Sequence, residues 1–245
     1  MGRTSFTVVI PAHNEEKYIG KCLRAVKSAA KYVAPDEVEI IVVANRCTDR
    51  TAAIAERLGA RVLPNDEKCI AAIRNTGIFA AQGEIIVTID ADSLMTKYSL
   101  AEIKSMLQSG RYVGGGTNPR FDRMSLGIAV SALYVAVNLI PVMIKNGGPL
   151  SGAMFWAYKK DIEAVGGFDN SLVSLEDMDF AARLKAYGKK SGRRFGTLKR
   201  SYITTSARKF DQFGDWYLVK NSQLTRRIFT GKDREAADSF YYDVR

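Results

Sequence analysis

One stretch decides the fold of this chain: Glu84-Ile85-Ile86-Val87-Thr88-Ile89-Asp90-Ala91-Asp92. Its apolar, β-branched beginning is typical of a buried strand, and its end carries two carboxylates at i and i+2. Open α/β sheets hold their ligands at the carboxyl edge, where this strand would deliver Asp90 and Asp92. Carboxylates suit Mg²⁺ or Mn²⁺ and, through the ion, a diphosphate. An isolated acidic pair also caps helices, so the interpretation depends on the rest of the chain.

Two other strand-like segments reach the same edge. Residues 6–10 lead into Pro11-Ala12-His13-Asn14-Glu15-Glu16, and residues 37–43 lead into Ala44-Asn45-Arg46-Cys47-Thr48-Asp49. A helical pattern follows each of them, and a third crossover passes through a helix over 70–81 into the Asp-x-Asp strand. Strands that alternate with helices of this length predict βαβ units and a parallel sheet. The first half is therefore expected to be an α/β layer of the nucleotide-binding type.

The motifs of the chain, in their order, resemble those of family 2 glycosyltransferases. They are Val9-Ile10-Pro11-Ala12-His13-Asn14-Glu15-Glu16, Cys47-Thr48-Asp49-Arg50-Thr51, Arg74-Asn75-Thr76-Gly77, Asp90-Ala91-Asp92, and Gly166-Gly167-Phe168-Asp169 followed by Glu176-Asp177. The resemblance implies a GT-A fold, which is a Rossmann-like mixed sheet flanked by helices. It also implies inverting transfer of a sugar from a nucleotide diphosphate sugar, such as a UDP- or GDP-sugar. Composition and periodicity alone do not show this reaction.

Length and composition fit such a protein. The 245 residues suffice for a single domain, with a nucleotide-sugar half over about 1–115 and an acceptor half over about 116–245. The first strand begins almost at Met1, which leaves no room for a signal peptide and predicts a cytoplasmic protein. The three cysteines are expected to be thiols, in keeping with a reducing compartment. A single histidine excludes His-rich metal sites.

The resemblance assigns roles to four acidic residues. Asp92 would be the main metal ligand, and Asp90 would face the ribose or a metal-bound water. Asp177 would be the general base that takes the proton of the acceptor hydroxyl, while Glu176 positions the acceptor or orients the base. The alternative for Asp177 is a capping role, because it stands at the start of a predicted helix.

The resemblance also predicts a nucleotide pocket with these members: Pro11, Ala12, Glu15, Asn45, Lys68 and Arg74. Glu15 is a candidate for the ribose hydroxyls, although an acid in a first helical turn is also favoured by the helix dipole. Asn45 stands where the family usually has an acidic pair, and its amide can both donate to and accept from a base edge. Lys68 and Arg74 are candidates for phosphate or base, with exposed helix charges as the alternative.

The second half is expected to bind the acceptor. The glycines of residues 146–152 permit close approach of a ligand to the backbone. Trp156 is expected to pack in the core, with stacking on a sugar as the alternative. Some family members place a metal-binding histidine after the last strand, whereas this chain has Arg208 and Lys209 there. We expect Arg208 to neutralise the diphosphate, since guanidinium binds phosphate oxygens bidentately.

Residues 126–144 form a mostly apolar segment that would make a helix of about 28 Å, enough to cross a bilayer. Crossing would separate Asp92 from Asp177, however, so a helix that lies on a membrane or packs in a homodimer fits better than a span. A core helix is the alternative. The net charge of +10 favours an anionic membrane surface as partner, and no nucleic-acid-binding pattern accompanies it.

Together, these features predict a metal-dependent inverting glycosyltransferase that moves one sugar to a lipid-linked or small acceptor. A nucleotidyltransferase is one alternative, but it usually opens with a glycine-rich loop that this chain lacks. A non-catalytic basic binding module on the same fold is the other.

Overall fold

The computed structural model describes residues 4–145, 154–228 and 233. The strands within them are β1 (Ser5–Ala12), β2 (Glu37–Asn45), β3 (Arg61–Asn65), β4 (Ile85–Ile89), β5 (Ser93–Met95), β6 (Tyr112–Gly116), β7 (Pro119–Phe121), β8 (Met154–Tyr158), β9 (Arg194–Thr197) and β10 (Ile203–Thr205). The helices are α1 (Ile19–Ala30), α2 (Thr51–Arg57), α3 (Ile70–Ala80), α4 (Ser99–Gln108), α5 (Leu126–Lys145), α6 (Lys159–Ala164), α7 (Glu176–Lys189), α8 (Arg208–Phe213), α9 (Tyr217–Lys220) and α10 (Ser222–Ile228).

A seven-stranded sheet has the order β3-β2-β1-β4-β8-β6-β9. The strands β3, β2, β1 and β4 run parallel, β8 is antiparallel to both β4 and β6, and β9 is parallel to β6. This confirms the mixed sheet of the predicted fold class. The chain leaves β1 toward β2 on one side and returns as β4 on the other. Ligands of open α/β sheets bind at such a switch point.

A three-stranded sheet, β5-β10-β7, lies beyond the end of β4. β5 begins at Ser93, directly after the Asp-x-Asp motif, and pairs antiparallel with β10 so that Ser93 lies opposite Thr205. The Ser93 hydroxyl donates to Thr205 Oγ1 at 3.0 Å. This pairing carries the segment after β10, including Arg208, to the carboxyl edge of β4.

The core occupies both faces of the large sheet. On one face, α1 and α4 pack residues such as Leu23 and Leu100 against the strands, and on the other, Phe168 and Phe180 stack at 4.2 Å between ring centroids. Trp156 is 1% exposed, and its indole nitrogen donates to the carbonyl of Gly116 at 3.0 Å. The expectation that Trp156 packs in the core is therefore confirmed.

The predicted apolar helix is present as α5, and its small and polar side chains face the protein. A Cβ added at Gly127 would lie 2.7 Å from Cβ of Asp215, and Ser131 donates to the carbonyl of Asp215 at 2.6 Å. The outward stripe is apolar and largely exposed: Leu126 75%, Leu133 64%, Val137 53% and Ile140 46%.

In the part of the chain that the structure describes, no helix is long and apolar enough to cross a membrane. The side chains of residues 139 and 141–145 of α5 are not among those described. The glycine-rich stretch over 146–152, predicted to contact the acceptor, also lies outside the described residues.

The close packing of α3 on the sheet depends on Gly77. A Cβ at this position would lie 2.3 Å from Val9 Cγ1 and 3.0 Å from Val43 Cγ2, and these β-branched side chains have few alternative rotamers. We expect Gly77→Ala to lower the free energy of unfolding by about 1–3 kcal/mol through overpacking. The measurement is the urea midpoint.

The matched control is Gly20→Ala in α1. A Cβ there would lie 3.5 Å from the nearest atom, an Arg24 nitrogen, which is an ordinary contact. The control should be neutral or stabilising by up to about 1 kcal/mol, because alanine favours helix. Equal midpoints for wild type and Gly77→Ala would contradict the packing argument.

Candidate active site

Two arginines organise the carboxyl edge of the sheet. Arg74, on α3, contacts carboxylates of the Asp-x-Asp motif and of α7, and Arg208, at the start of α8, contacts carboxylates that follow β1 and β4. The resulting ion pairs join most of the acidic residues that the sequence singled out.

Arg74 links the Asp-x-Asp motif to α7. Its Nη1 donates to Glu176 at 2.6 Å, and its Nη2 lies 3.3 Å from Asp90 Oδ1. Burial alone would lower the pKa of Arg74, but the charges of Asp90 and Glu176 outweigh burial and raise it above the ordinary value. In this conformation, both terminal nitrogens serve protein carboxylates. A phosphate or base would have to compete with them.

The neighbours of Arg74 explain the rest of its motif. Asn75 donates to the carbonyl of Phe168 at 2.8 Å and accepts from the Phe168 amide at 2.9 Å. Gly167, before it, has φ +70°, and a Cβ there would lie 2.5 Å from the Asn75 side-chain oxygen. Asn75 thus fixes the loop that leads to α7. No role for Asn75 was predicted from the sequence, although its place beside Arg74 was a usable signal.

Asp177 stands in the first turn of α7, with a pKa far from its ordinary value. Burial raises the pKa of Asp177 to about 7, the charge of Glu176 adds to the rise, and the charge of Arg74 opposes it. Its Oδ1 accepts from the Met178 amide at 2.7 Å, while the N-cap residue is Leu175. Asp177 is therefore not the cap, and a carboxyl that titrates near neutral pH suits a general base.

Asp179, two residues on, has a different environment. It pairs with Arg183 at 2.7 Å, and Arg183 in turn donates to the carbonyls of Val165 and Gly167. This agrees with the structural role that its place in the helical turn suggests.

Arg208 lies between two carboxylates of different strands. Its Nη1 donates to Glu15 at 2.5 Å, its Nη2 donates to the other Glu15 oxygen, and the same Nη2 lies 3.0 Å from Asp92. The guanidinium stacks over Tyr18, 4.6 Å from the ring centroid. Burial would lower the pKa of Arg208, but the bond and charge of Glu15, with Asp92, raise it. Tyr18 was missed, because no local pattern marks an aromatic ring as an arginine platform.

The loop after β1 is held by the loop after β2. Pro11 and Ala12 end β1 as buried residues. Thr51 Oγ1 accepts from the backbone amide of Glu15 at 2.7 Å and itself donates to Asp49 at 2.5 Å. Through these hydrogen bonds, the Cys47–Thr51 motif positions Glu15.

The remaining pocket candidates are Asn45, at the end of β2, and Lys68, before α3. Asn45 is buried, and its amide nitrogen donates to the carbonyls of Asn65 and Glu67 at 3.0 and 2.9 Å, so a base edge would compete with these bonds. Lys68 is exposed in the loop before α3.

The donor set at Asp92 fits a hard divalent cation. Among the described residues, no group of three or more His, Cys, Asp or Glu side chains stands ready to hold an ion. Mg²⁺, however, is usually bound by one or two carboxylates together with substrate phosphates and water. Asp92 and Glu15 already share one cationic group, the Arg208 guanidinium, so their oxygens are arranged for positive charge.

Comparisons with known proteins identify the family and the fold of the chain. The family model described as Glycosyl transferase family 2 matches residues 7–160. The chain is similar to the probable glycosyltransferase YdaM of Bacillus subtilis, with 25% identity over 200 residues, 74% of this chain and 47% of that protein. The chain thus spans about half the length of this relative.

Solved structures share the fold. TarS of Staphylococcus aureus, in complex with UDP-GlcNAc, has a TM-score of 0.60 at 17% identity and covers 96% of this chain and 70% of its own. Glucosyl-3-phosphoglycerate synthase of Mycobacterium tuberculosis, with Mn²⁺, UDP and glucosyl-3-phosphoglycerate, has a TM-score of 0.57 at 20% identity, covering 91% and 80%. With the family model matching more than half of the residues, the chain belongs to glycosyl transferase family 2.

Proposed function

We propose that the protein transfers a single sugar, with inversion, from a nucleotide diphosphate sugar to a lipid-linked or small acceptor. One observation carries the proposal: Arg74 links the start of α7, where the pKa of Asp177 is about 7, to the Asp-x-Asp motif. Inverting transfer needs a base for the acceptor and charge neutralisation for the leaving diphosphate. Arg74 pairs with Glu176, which is next to the proposed base, and with Asp90 of the Asp-x-Asp motif, so one side chain links the two parts of the proposed site.

Each residue then has a defined task. Asp177 takes the acceptor proton, and Glu176, fixed by Arg74, orients it. Asp92 and Asp90 face the diphosphate side. A divalent ion at Asp92 would neutralise charge that develops on the leaving group. Pro11, Ala12 and Asn45 are proposed to line the nucleoside pocket, with Lys68 at its rim.

The ligands of the structural neighbours support a uridine donor over a guanosine one. TarS is bound to UDP-GlcNAc and the mycobacterial synthase to UDP with Mn²⁺. We therefore propose a UDP-sugar donor and Mn²⁺ or Mg²⁺ as the ion. No observation favours the nucleotidyltransferase or the non-catalytic module.

The outward stripe of α5 supports a location on the cytoplasmic face of an anionic membrane. An apolar stripe exposed to water is unfavourable by about 25 cal/mol per Å², and a lipid surface would cover it. The positive net charge of the chain adds electrostatic attraction. A homodimer through the same stripe is the competing proposal.

Replacing the proposed base should separate binding from turnover. We expect Asp177→Asn to keep the affinity for UDP-sugar near that of wild type and to lower kcat by about a hundredfold or more, the scale for losing a general base. Isothermal titration gives the affinity, and product formation gives the rate. Asp179→Asn, two residues further along α7, is the control and should keep kcat. Full turnover in Asp177→Asn would place the base elsewhere.

The raised pKa of Asp177 predicts an acid limit of activity. Because the base acts deprotonated, kcat should fall below about pH 7, by about tenfold per pH unit. Stability should follow the opposite trend. A pKa raised on folding adds stability that is complete below the unfolded pKa of about 3.9 and is lost as pH rises through about 7. Urea unfolding across this pH window should show the free energy of unfolding falling as pH rises in wild type, and falling less in Asp177→Asn. A kcat that stays flat down to about pH 5 would contradict the assignment.

The membrane proposal is tested by sedimentation with liposomes. Wild type should bind anionic liposomes at low salt, each Lys or Arg near the surface adding about 1 kcal/mol, and high salt should weaken binding without abolishing it. Leu133→Glu and Val137→Glu should reduce binding, whereas Tyr98→Glu, at an exposed hydrophobic residue outside α5, should not. Wild type that remains in the supernatant at low salt would refute the idea, and sedimentation velocity would then test for a dimer.

A further inference from the structure

The contacts of Arg208 are unequal. Both terminal nitrogens contact Glu15, which is 3% exposed at its side chain, whereas Asp92 receives only Nη2, and that nitrogen already serves Glu15. Such a two-nitrogen pairing is the stronger and more directional kind of arginine contact. The Asp92 contact is therefore the one that opens at least cost.

We propose that Arg208 is a displaceable cation at Asp92. Without nucleotide, its guanidinium neutralises Asp92. When a divalent ion and the donor bind, Arg208 breaks its contact with Asp92 and keeps its contact with Glu15. Nη2, the nitrogen that contacted Asp92, then turns to a diphosphate oxygen. This inference rests on the proposed function, because that function supplies the ion and the diphosphate.

The exchange leaves no buried charge alone. Removing one partner from a buried ion pair is strongly destabilising, because the remaining charge is left uncompensated. Here, Asp92 would gain the divalent ion, and Arg208 would retain Glu15 together with its platform, Tyr18. Arg74 has no such option, since both of its carboxylates lie on residues that the proposed reaction needs in place.

The charge balance of the site calls for an added cation. The two networks contain four carboxylates, of Glu15, Asp90, Asp92 and Glu176, against the guanidinium groups of Arg74 and Arg208. Leaving Asp177 aside, these ion pairs contain two more negative than positive charges, and the two excess charges would repel a diphosphate. A divalent ion cancels them, and it releases Arg208 to face the donor.

Direct Mn²⁺ binding tests the displacement without any turnover. By isothermal titration of the nucleotide-free protein, Arg208→Gln should bind Mn²⁺ on the order of tenfold more tightly than wild type, because a competing cation is removed. With Mn²⁺ saturating, the same variant should bind UDP about tenfold more weakly, because a charged phosphate contact is missing. A residue with a purely structural role would not produce changes of opposite sign.

Controls separate this inference from the proposed function. Arg120→Gln removes the same charge from an exposed position and should change Mn²⁺ affinity by no more than about twofold, since surface charge is screened. Asp92→Asn should abolish Mn²⁺ binding; if binding survives there, the proposed metal site is wrong. If Asp92 is required but Arg208→Gln binds Mn²⁺ no better than wild type, Arg208 is a fixed link and the displacement is wrong.

Arg208→Lys covers the case in which Arg208→Gln does not fold, as judged by circular dichroism. An ammonium group contacts one carboxylate at a time, and Glu15 is the better buried partner. The lysine variant should therefore bind Mn²⁺ more tightly than wild type as well. Unchanged Mn²⁺ affinity in that variant would also overturn the displacement.

Discussion

The pairing of buried charge is the constraint on which the candidate site depends. Arg74 meets Glu176 and Asp90, and Arg208 meets Glu15, each arginine drawing together segments that lie far apart in the chain. Taking an ion out of water costs several kcal/mol, so none of these groups is stable at the sheet edge alone. The ion pairs that shape the site thus also hold α3, α7 and α8 in place.

Sequence patterns predicted the strands well, because β-branched runs and the helices between them are local features. They placed Asp90 and Asp92 at the sheet edge for the same reason. The ion-pair partners could not be predicted from local patterns, because Arg74 and Glu176 are 102 residues apart and Arg208 and Glu15 are 193 residues apart. From the sequence, an arginine suggests a phosphate ligand. The fold determines where the arginine is buried and therefore which carboxylates it contacts.

The apolar helix α5 shows a second limit of sequence patterns. Its period identified a helix, but the period does not say which face is covered. Amphipathic helices usually turn the apolar face inward. Here the small residues face inward, because Gly127 and Ser131 let the 215–216 segment approach closely, and the large apolar side chains remain outside. Which face of a helix turns inward is set by the segments that pack against it.

The two arginines also differ in a way that matches the chemistry proposed for them. Arg74 is 10% exposed at its side chain and joins α7, which carries the proposed base, to the end of β4, where the donor is proposed to bind. The proposed reaction requires the relative geometry of α7 and β4 to persist. Arg208 is 21% exposed and stands at the start of the short helix α8. In the proposed reaction, it would face the negative charge that grows as the diphosphate leaves. A rigid link on the acceptor side and an adjustable cation on the leaving-group side satisfy the two opposing demands of fixed geometry and changing charge.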